Sequence, residues 1–150
     1  MAMILRVLAV ALFFLPLFQI SPLFSKETDG NRLDVITYEG IINPVASEFI
    51  LQSIKEAEEQ NSEALIIQLD TPGGFDSSMR TIVKRILSAE VPVVVYVSPS
   101  GARAASAGVF ILQAAHFAVM ATGTNVGAAH PVSIGGGEMT PEMSKKAEND

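Results

Sequence analysis

Pro99-Ser100-Gly101-Ala102-Arg103-Ala104-Ala105-Ser106-Ala107-Gly108-Val109 is the stretch on which the reading of this chain turns. It follows an apolar, strand-like run from Pro92 to Val97, and its small residues crowd around Ser106. Crowding of this kind lets backbone approach backbone or ligand closely, and it leaves a single hydroxyl in a side-chain-poor turn. Such a stretch also suits a helix start packed tightly on a sheet. The surrounding order adds weight to a chemical role: a second glycine turn, Thr71-Pro72-Gly73-Gly74, lies upstream, and two lysines, Lys145 and Lys146, lie about forty positions downstream.

Working outward, Leu33 to Tyr38 reads as a first strand, which Glu39-Gly40 breaks. Pro44 opens a helical pattern in which Val45, Phe49, Ile54 and Ala57 recur at helix-like intervals to about Gln60. Glu56, Glu58 and Glu59 are expected on its solvated face. Ala64 to Leu69 fits a fully buried strand and ends in the first glycine turn. A second amphipathic helix follows, marked by Met79, Ile82, Val83, Ile86 and Leu87, and Glu90 and Pro92 lead into the third strand. Strand, helix, strand, helix, strand in this space implies right-handed parallel crossovers, whose functional groups gather where strands give way to helices. Ser106 to Ala115 predicts a short helix, His116 to Ala121 a fourth strand, and Thr122 to Gly127 a loop. Thr140-Pro141-Glu142-Met143 reads as a helix start with a cap and a proline at the first position. The chain stops at Asp150 inside that expected helix, which predicts a domain truncated at its C-terminus.

The chain has 150 residues, room for one domain with a real core. Ten Lys and Arg face sixteen Asp and Glu, and no basic cluster is present to contact phosphates, so nucleic acid is not an expected partner. With no cysteine, disulfides, thiolate catalysis and zinc-thiolate sites are excluded. Arg6 precedes an apolar run from Val7 to Phe18, so residues 1–25 read as a signal segment or N-terminal anchor. Export is therefore expected, with the remainder, 26–150, extracytoplasmic.

The two glycine turns lack the Gly-x-Gly-x-x-Gly spacing and the Gly-Lys-Ser/Thr ending of nucleotide sites. The same backbone geometry serves another anion, the oxyanion formed when a serine attacks a carbonyl. A serine needs a base to become a nucleophile. The chain offers His116 and His130, its only histidines, and Lys145 and Lys146. A lysine acts as a base only when desolvated or set beside another cation, whereas His130 would call for an acidic partner such as Asp70. The residues alone leave this choice open.

Taken together, Leu69-Asp70-Thr71-Pro72-Gly73-Gly74, Gly101-Ala102-Arg103-Ala104-Ala105-Ser106-Ala107-Gly108 and Gly127-Ala128-Ala129-His130-Pro131 resemble the membrane-associated serine proteases of the NfeD type, relatives of signal peptide peptidase A within the ClpP/crotonase fold. The resemblance runs from Leu33 to Asp150. It implies an α/β fold of repeated strand-helix units with a mostly parallel sheet, and residues 26–150 as the N-terminal part of a ClpP-like serine protease domain. It further implies a Ser-Lys dyad, with Ser106 as nucleophile and Lys146, in Lys146-Ala147-Glu148-Asn149, as general base. The oxyanion amides then fall on Gly74 and Ala107. No metal or cofactor is called for. The resemblance points to hydrophobic segments of membrane proteins as substrates, to a stomatin-like partner, to self-association, and to a membrane-associated location, periplasmic in a Gram-negative source.

Two other classes compete. In the cytosolic ClpP branch a histidine base follows the nucleophile by a similar interval, and His130 stands in for it here. A crotonase-fold scaffold in which Ser106 is structural is the non-enzymatic alternative. Thioester chemistry on coenzyme A is disfavoured, because neither an acidic residue beside the second glycine turn nor a basic adenine-side patch is evident.

Overall fold

Alternating strand and helix patterns in the first half of the chain fold into parallel crossovers, and the second half returns to stitch two of their turns together. A computed structural model describes residues 32–129. Its elements are β1 (Leu33–Glu39), α1 (Pro44–Glu59), β2 (Ala64–Asp70), α2 (Asp76–Leu87), β3 (Val93–Val97), β4 (Arg103–Ala105), α3 (Ala107–Ala114), β5 (Phe117–Met120) and β6 (Asn125–Gly127). The expected signal segment, His130, Lys145, Lys146 and the helix expected from Thr140 lie outside the described residues.

The main sheet has four strands in the order β1-β2-β3-β5, and every pairing is parallel. Period-2 alternation aims Leu65, Ile67 and Leu69 of β2 and Val93, Val95 and Val97 of β3 at one face, where all six are fully buried. Ile50 and Ile54 of α1, Ile82 and Ile86 of α2 and Ile111 of α3 close over that face in one continuous core. Cutting any of these isoleucines back to alanine costs about 2–5 kcal/mol. The opposite face differs from the expectation of a fully buried β2. Its row Val35, Ile66, Val94, Phe117 is only half-buried or exposed, because the described helices all share the core on the other side. A short apolar run is compatible with both situations.

Local signals set the ends of α1. The Asn43 side chain accepts a hydrogen bond from Ala46 N–H at 2.9 Å, and Pro44 takes the first helical position. At the other end Asn61, in the left-handed region at φ 52°, donates to Glu58 O at 3.0 Å, and Ser62 N–H donates to Ala57 O at 2.9 Å. This reciprocal pair satisfies the last carbonyls of the helix. The buried stripe is Ala46, Ile50, Ile54 and Ala57. Val45 and Phe49, the other apolar row at helical spacing, face outward. Glu58 also departs from the solvated face expected of it: it is paired with Arg85 of α2 and accepts a hydrogen bond from Glu90 N–H at 2.9 Å.

The segment Thr122–Gly127, expected as a loop, carries β6, which pairs in parallel with β4 as a second, two-stranded sheet. Each strand is only three residues long and lacks any hydrophobic period. What defines them is long-range: Thr71 N–H donates to Arg103 O at 2.7 Å and Ala105 N–H donates to Thr71 O at 3.0 Å, fastening β4 to the end of β2. Among the described residues no helix is long and apolar enough to cross a membrane.

Candidate active site

At the C-terminal edge of the main sheet, two strand-to-helix turns meet. The first leaves β2 through Thr71, Pro72, Gly73 and Gly74 and enters α2. The second leaves β4 through Ser106 and enters α3. Ser106 has φ 51° and ψ −115°, a conformation that L residues rarely adopt and that costs about 1–3 kcal/mol. A nucleophile is lifted clear of its sheet by a sharp strand-to-helix turn strained in this way. The strain is held in place from both sides, since Ser106 N–H donates to Gly127 O at 2.9 Å and Ser106 O accepts from Val109 N–H at 2.9 Å.

The glycines divide the work in a manner the sequence did not disclose. Gly73, not Gly74, stands against the serine: a Cβ on Gly73 would lie 2.6 Å from Ser106 Cβ and 3.1 Å from Ser106 Oγ, and its φ of 111° also favours glycine. Gly74 is pressed instead on the main chain after β1, where an added Cβ would fall 2.0 Å from Ile42 O. Ile42 N–H donates to Gly73 O at 2.8 Å and Phe75 N–H donates to Ile42 O at 2.8 Å, bracketing Gly74. This pattern turns the Gly74 N–H away from Ile42, and among the described residues it has no acceptor. The N–H of Ala107, the first of α3, has none either. Gly74 and Ala107 are thus each one residue from the close contact between Gly73 and Ser106, and each carries an unspent donor. The positive end of the α3 dipole lies at Ala107 and favours negative charge there.

Thr71, which sequence reasoning passed over, ties the two turns. It is fully buried, its hydroxyl accepts from Gly73 N–H at 3.0 Å and donates to Gly73 O at 3.2 Å, and its methyl occupies the space that a Cβ on Gly108 would need, 2.6 Å away. The signal was present in the sequence as a threonine two residues before a glycine, a spacing at which a hydroxyl bonds its own backbone. Beside these turns an open cleft of about 690 Å³ is lined by Glu39, Gly40, Asp70, Pro72, Gly101, Arg103 and Asn125. Asp70 is not free in it, since its Oδ1 accepts from Arg103 N–H at 2.9 Å.

Of the histidines, His116 lies at the wrong end of the sheet to serve Ser106. Its Nδ1 accepts from Val93 N–H at 3.1 Å, at the start of β3, whereas the two turns follow the ends of β2 and β4. Ser106 Oγ makes no hydrogen bond with any described side chain. The remaining candidates for a base, Lys146, Lys145 and His130, fall outside the described residues. No group of three His, Cys, Asp or Glu side chains converges into a metal-binding set among the described residues.

Comparison with known proteins places this geometry. Residues 33–148 match the model of the family described as NfeD1b, N-terminal domain. The chain is 41% identical over 116 residues to the membrane-bound protease PH1510 of Pyrococcus horikoshii, and 30% identical over 105 residues to the membrane protein NfeD1b of Bacillus subtilis. Those alignments take in 77% and 70% of this chain but only 25% and 23% of the relatives, so the chain spans about a quarter of their length. Among solved structures it is similar to the 1510-N membrane-bound stomatin-specific protease, in a serine-to-alanine mutant at 38% identity and TM-score 0.73, covering 78% of this chain and 59% of that one. A lysine-to-alanine mutant in complex with a substrate peptide matches at 39% identity and TM-score 0.73, covering 78% of this chain and 56% of that one. ClpP1 from Listeria monocytogenes, at 23% identity and TM-score 0.62 over 77% of this chain and 66% of its own, shares the fold. The architecture is accordingly the ClpP/crotonase-like α/β fold, and the chain belongs to the NfeD1b family, whose N-terminal domain its residues 33–148 form.

Proposed function

We propose that this chain is the N-terminal part of the protease domain of a membrane-associated serine endopeptidase, with Ser106 as nucleophile. The observation that carries this reading is the strained Ser106 at φ 51°, set against Gly73 and flanked by the unspent amides of Gly74 and Ala107. In the reaction a base removes the Ser106 proton, Oγ attacks the scissile carbonyl, and the Gly74 and Ala107 amides hold the resulting oxyanion. The protonated base gives its proton to the leaving amine, and water then releases the acyl group by the reverse sequence. Each such amide is worth about 3–4 kcal/mol in the transition state.

Lys146 is the base in the first form of this proposal. Support comes from the family resemblance and from the similar 1510-N protease, which was solved both as a serine-to-alanine mutant and as a lysine-to-alanine mutant in complex with a substrate peptide. By the same analogy the substrate is an apolar segment of a membrane protein of the stomatin kind, and the enzyme is an extracytoplasmic homo-oligomer.

A second reading, with His130 as base, is favoured by a separate observation. Gly127 O accepts the Ser106 N–H at 2.9 Å, and His130 follows only three residues later, within about 11 Å of chain. A fluorophosphonate probe on the full-length natural polypeptide separates the forms. Labelling lost in Ser106→Ala and Lys146→Ala but kept in His130→Ala supports the dyad. Labelling lost in His130→Ala and kept in Lys146→Ala transfers the role to His130. A folded wild-type protein that takes no label leaves a ClpP-like scaffold, with Ser106 as a structural residue.

A further inference from the structure

We infer that Thr71 is a positioning residue that aims the Gly74 amide at the Ser106 turn; the inference rests on the reading of Ser106 as nucleophile. A peptide group is planar and trans, so the direction of the Gly74 N–H is fixed by the direction of the Gly73 carbonyl to which it is joined. Two donors hold that carbonyl, the Thr71 hydroxyl at 3.2 Å and Ile42 N–H at 2.8 Å. The same hydroxyl accepts from the preceding amide, Gly73 N–H, at 3.0 Å. It therefore clamps both peptide planes of a glycine that, having no side chain and lying at φ 111°, sets little of its own orientation.

Thr71 is equally part of the other turn. Its main chain pairs with Arg103 O and Ala105 N–H on the strand that delivers Ser106, at 2.7 and 3.0 Å. Its methyl group stands 2.6 Å from where a Cβ on Gly108 would be, against the first turn of α3. One fully buried residue thus references the Gly74 donor and the Ala107 donor to a common frame. Oxyanion donors help only when already pointed at the place where charge develops. Fixing their mutual direction is the task left to a residue that touches neither substrate nor nucleophile.

The variants Thr71→Val, Thr71→Ser and Thr71→Ala separate the hydroxyl from the methyl. The probe is an alkyl fluorophosphonate, in whose reaction a Ser106 Oγ–P bond forms, the P–F bond breaks with loss of fluoride, and the serine proton passes to the base. The developing charge on the phosphonyl oxygen reports the amides. Thr71→Val keeps the buried volume but loses the hydroxyl, and its maximal labelling rate is expected to fall about 10–100-fold with the half-saturating probe concentration unchanged. Thr71→Ser keeps the hydroxyl, and its maximal rate stays within about threefold of wild type even where its Tm drops. Equal rates in Thr71→Val and wild type, or equal losses in Thr71→Ser and Thr71→Val, overturn the inference. Should Thr71→Val not fold, the ratio of Thr71→Ser to Thr71→Ala decides in the same way. Absence of label in wild-type protein, or label that survives Ser106→Ala, overturns the nucleophile assignment itself and with it this role for Thr71.

Discussion

The two edges of the parallel sheet are held by different chemistry. At the C-terminal edge, where β2 and β4 turn into helices, main-chain bonds predominate, joined by the Thr71 hydroxyl and the Asp70 carboxylate, and Gly73, Ser106 and Ala128 all have positive φ. At the N-terminal edge the ties run through charged and polar side chains. Asp34 accepts from Ser62 Oγ at 2.6 Å and pairs with Arg32 at 2.9 Å, Glu58 holds Arg85 and the Glu90 N–H, and His116 accepts from Val93 N–H. One edge stores strain and leaves amides unspent, while the other spends its polar groups on joining α1, α2 and the strands. On the proposed reading of Ser106, stability and chemistry are lodged at opposite ends, so substitutions at each should fail in different ways.

The sharpest break is between the adjacent glycines. Gly74→Ala would drive a Cβ to 2.0 Å from Ile42 O, a main-chain atom fixed by its bond from Phe75 N–H, and the expected loss of stability is about 4 kcal/mol or more in a denaturant titration. Gly73→Ala makes a shallower overlap, with Ser106 Cβ at 2.6 Å and Ala105 O at 3.1 Å, but that Cβ is fixed by its own main chain and the new side chain sits at φ 111°. A loss of about 2–4 kcal/mol is expected, from overlap and backbone strain together, with a fall in fluorophosphonate labelling of at least about 100-fold as the serine is displaced. If the two alanines prove alike in both readouts, the division of labour between these glycines is wrong.

How far this arrangement was legible follows from the same contrast. The strands and helices from Leu33 to Val97 announce themselves through sustained hydrophobic periods punctuated by Asn43-Pro44, Asn61 and Pro72, and the structure places them within a residue or two of expectation. The apolar row expected of α1 includes Val45 and Phe49, which fit a helical repeat as well as Ala46 and Ile50 do but are exposed. Docking against β1 and β2, with the cap at Asn43, selects the second row. β4 and β6 carry no period at all, since their three-residue ladders exist only through bonds to Thr71 and between residues some twenty positions apart. In the candidate site, Ser106 and the glycine turn could be found from crowding by small residues. Which glycine makes room for the serine and which one keeps an N–H without an acceptor among the described residues depends on the path of β1 and Ile42, and a Gly-Gly pair does not encode it.

Strain at the serine gives a second, smaller test. Ser106→Ala removes the hydroxyl but keeps a Cβ at φ 51°, whereas Ser106→Gly removes both hydroxyl and strain. Both variants are expected to lose labelling. The glycine variant should nonetheless be the more stable by about 1 kcal/mol, the relief of strain exceeding the entropy that glycine loses on folding. A glycine variant less stable than the alanine one by the entropic cost of glycine, about 0.5–1 kcal/mol, would mean that the turn is not under strain and that its conformation is no mark of a built nucleophile.

The mildest effect belongs to the other edge and to acid. Hydrogen bonds from Ser62 and Arg32 hold the Asp34 carboxyl below its ordinary value against the opposing effect of burial. Burial pushes Glu58 up, but Arg85 and the N–H groups of Glu90 and Val91 outweigh it and hold that carboxyl low as well. A carboxylate depressed in the folded state contributes stability that is fully present above its unfolded pKa, about 3.9 for Asp and 4.3 for Glu, and that disappears as pH falls through the folded value. Tm is therefore expected to be flat in this respect from pH 7 to about 5 and to decline below about 4. Glu58→Gln should lower stability by about 1 kcal/mol at pH 7 and flatten part of that acid limb, because the neutral amide keeps the shape and loses the charge. Its labelling rate at pH 7 should match wild type, since nothing at the N-terminal edge orients the Gly74 or Ala107 amides; a parallel loss of labelling would mean that the two edges are coupled through α2 and β3 rather than separable.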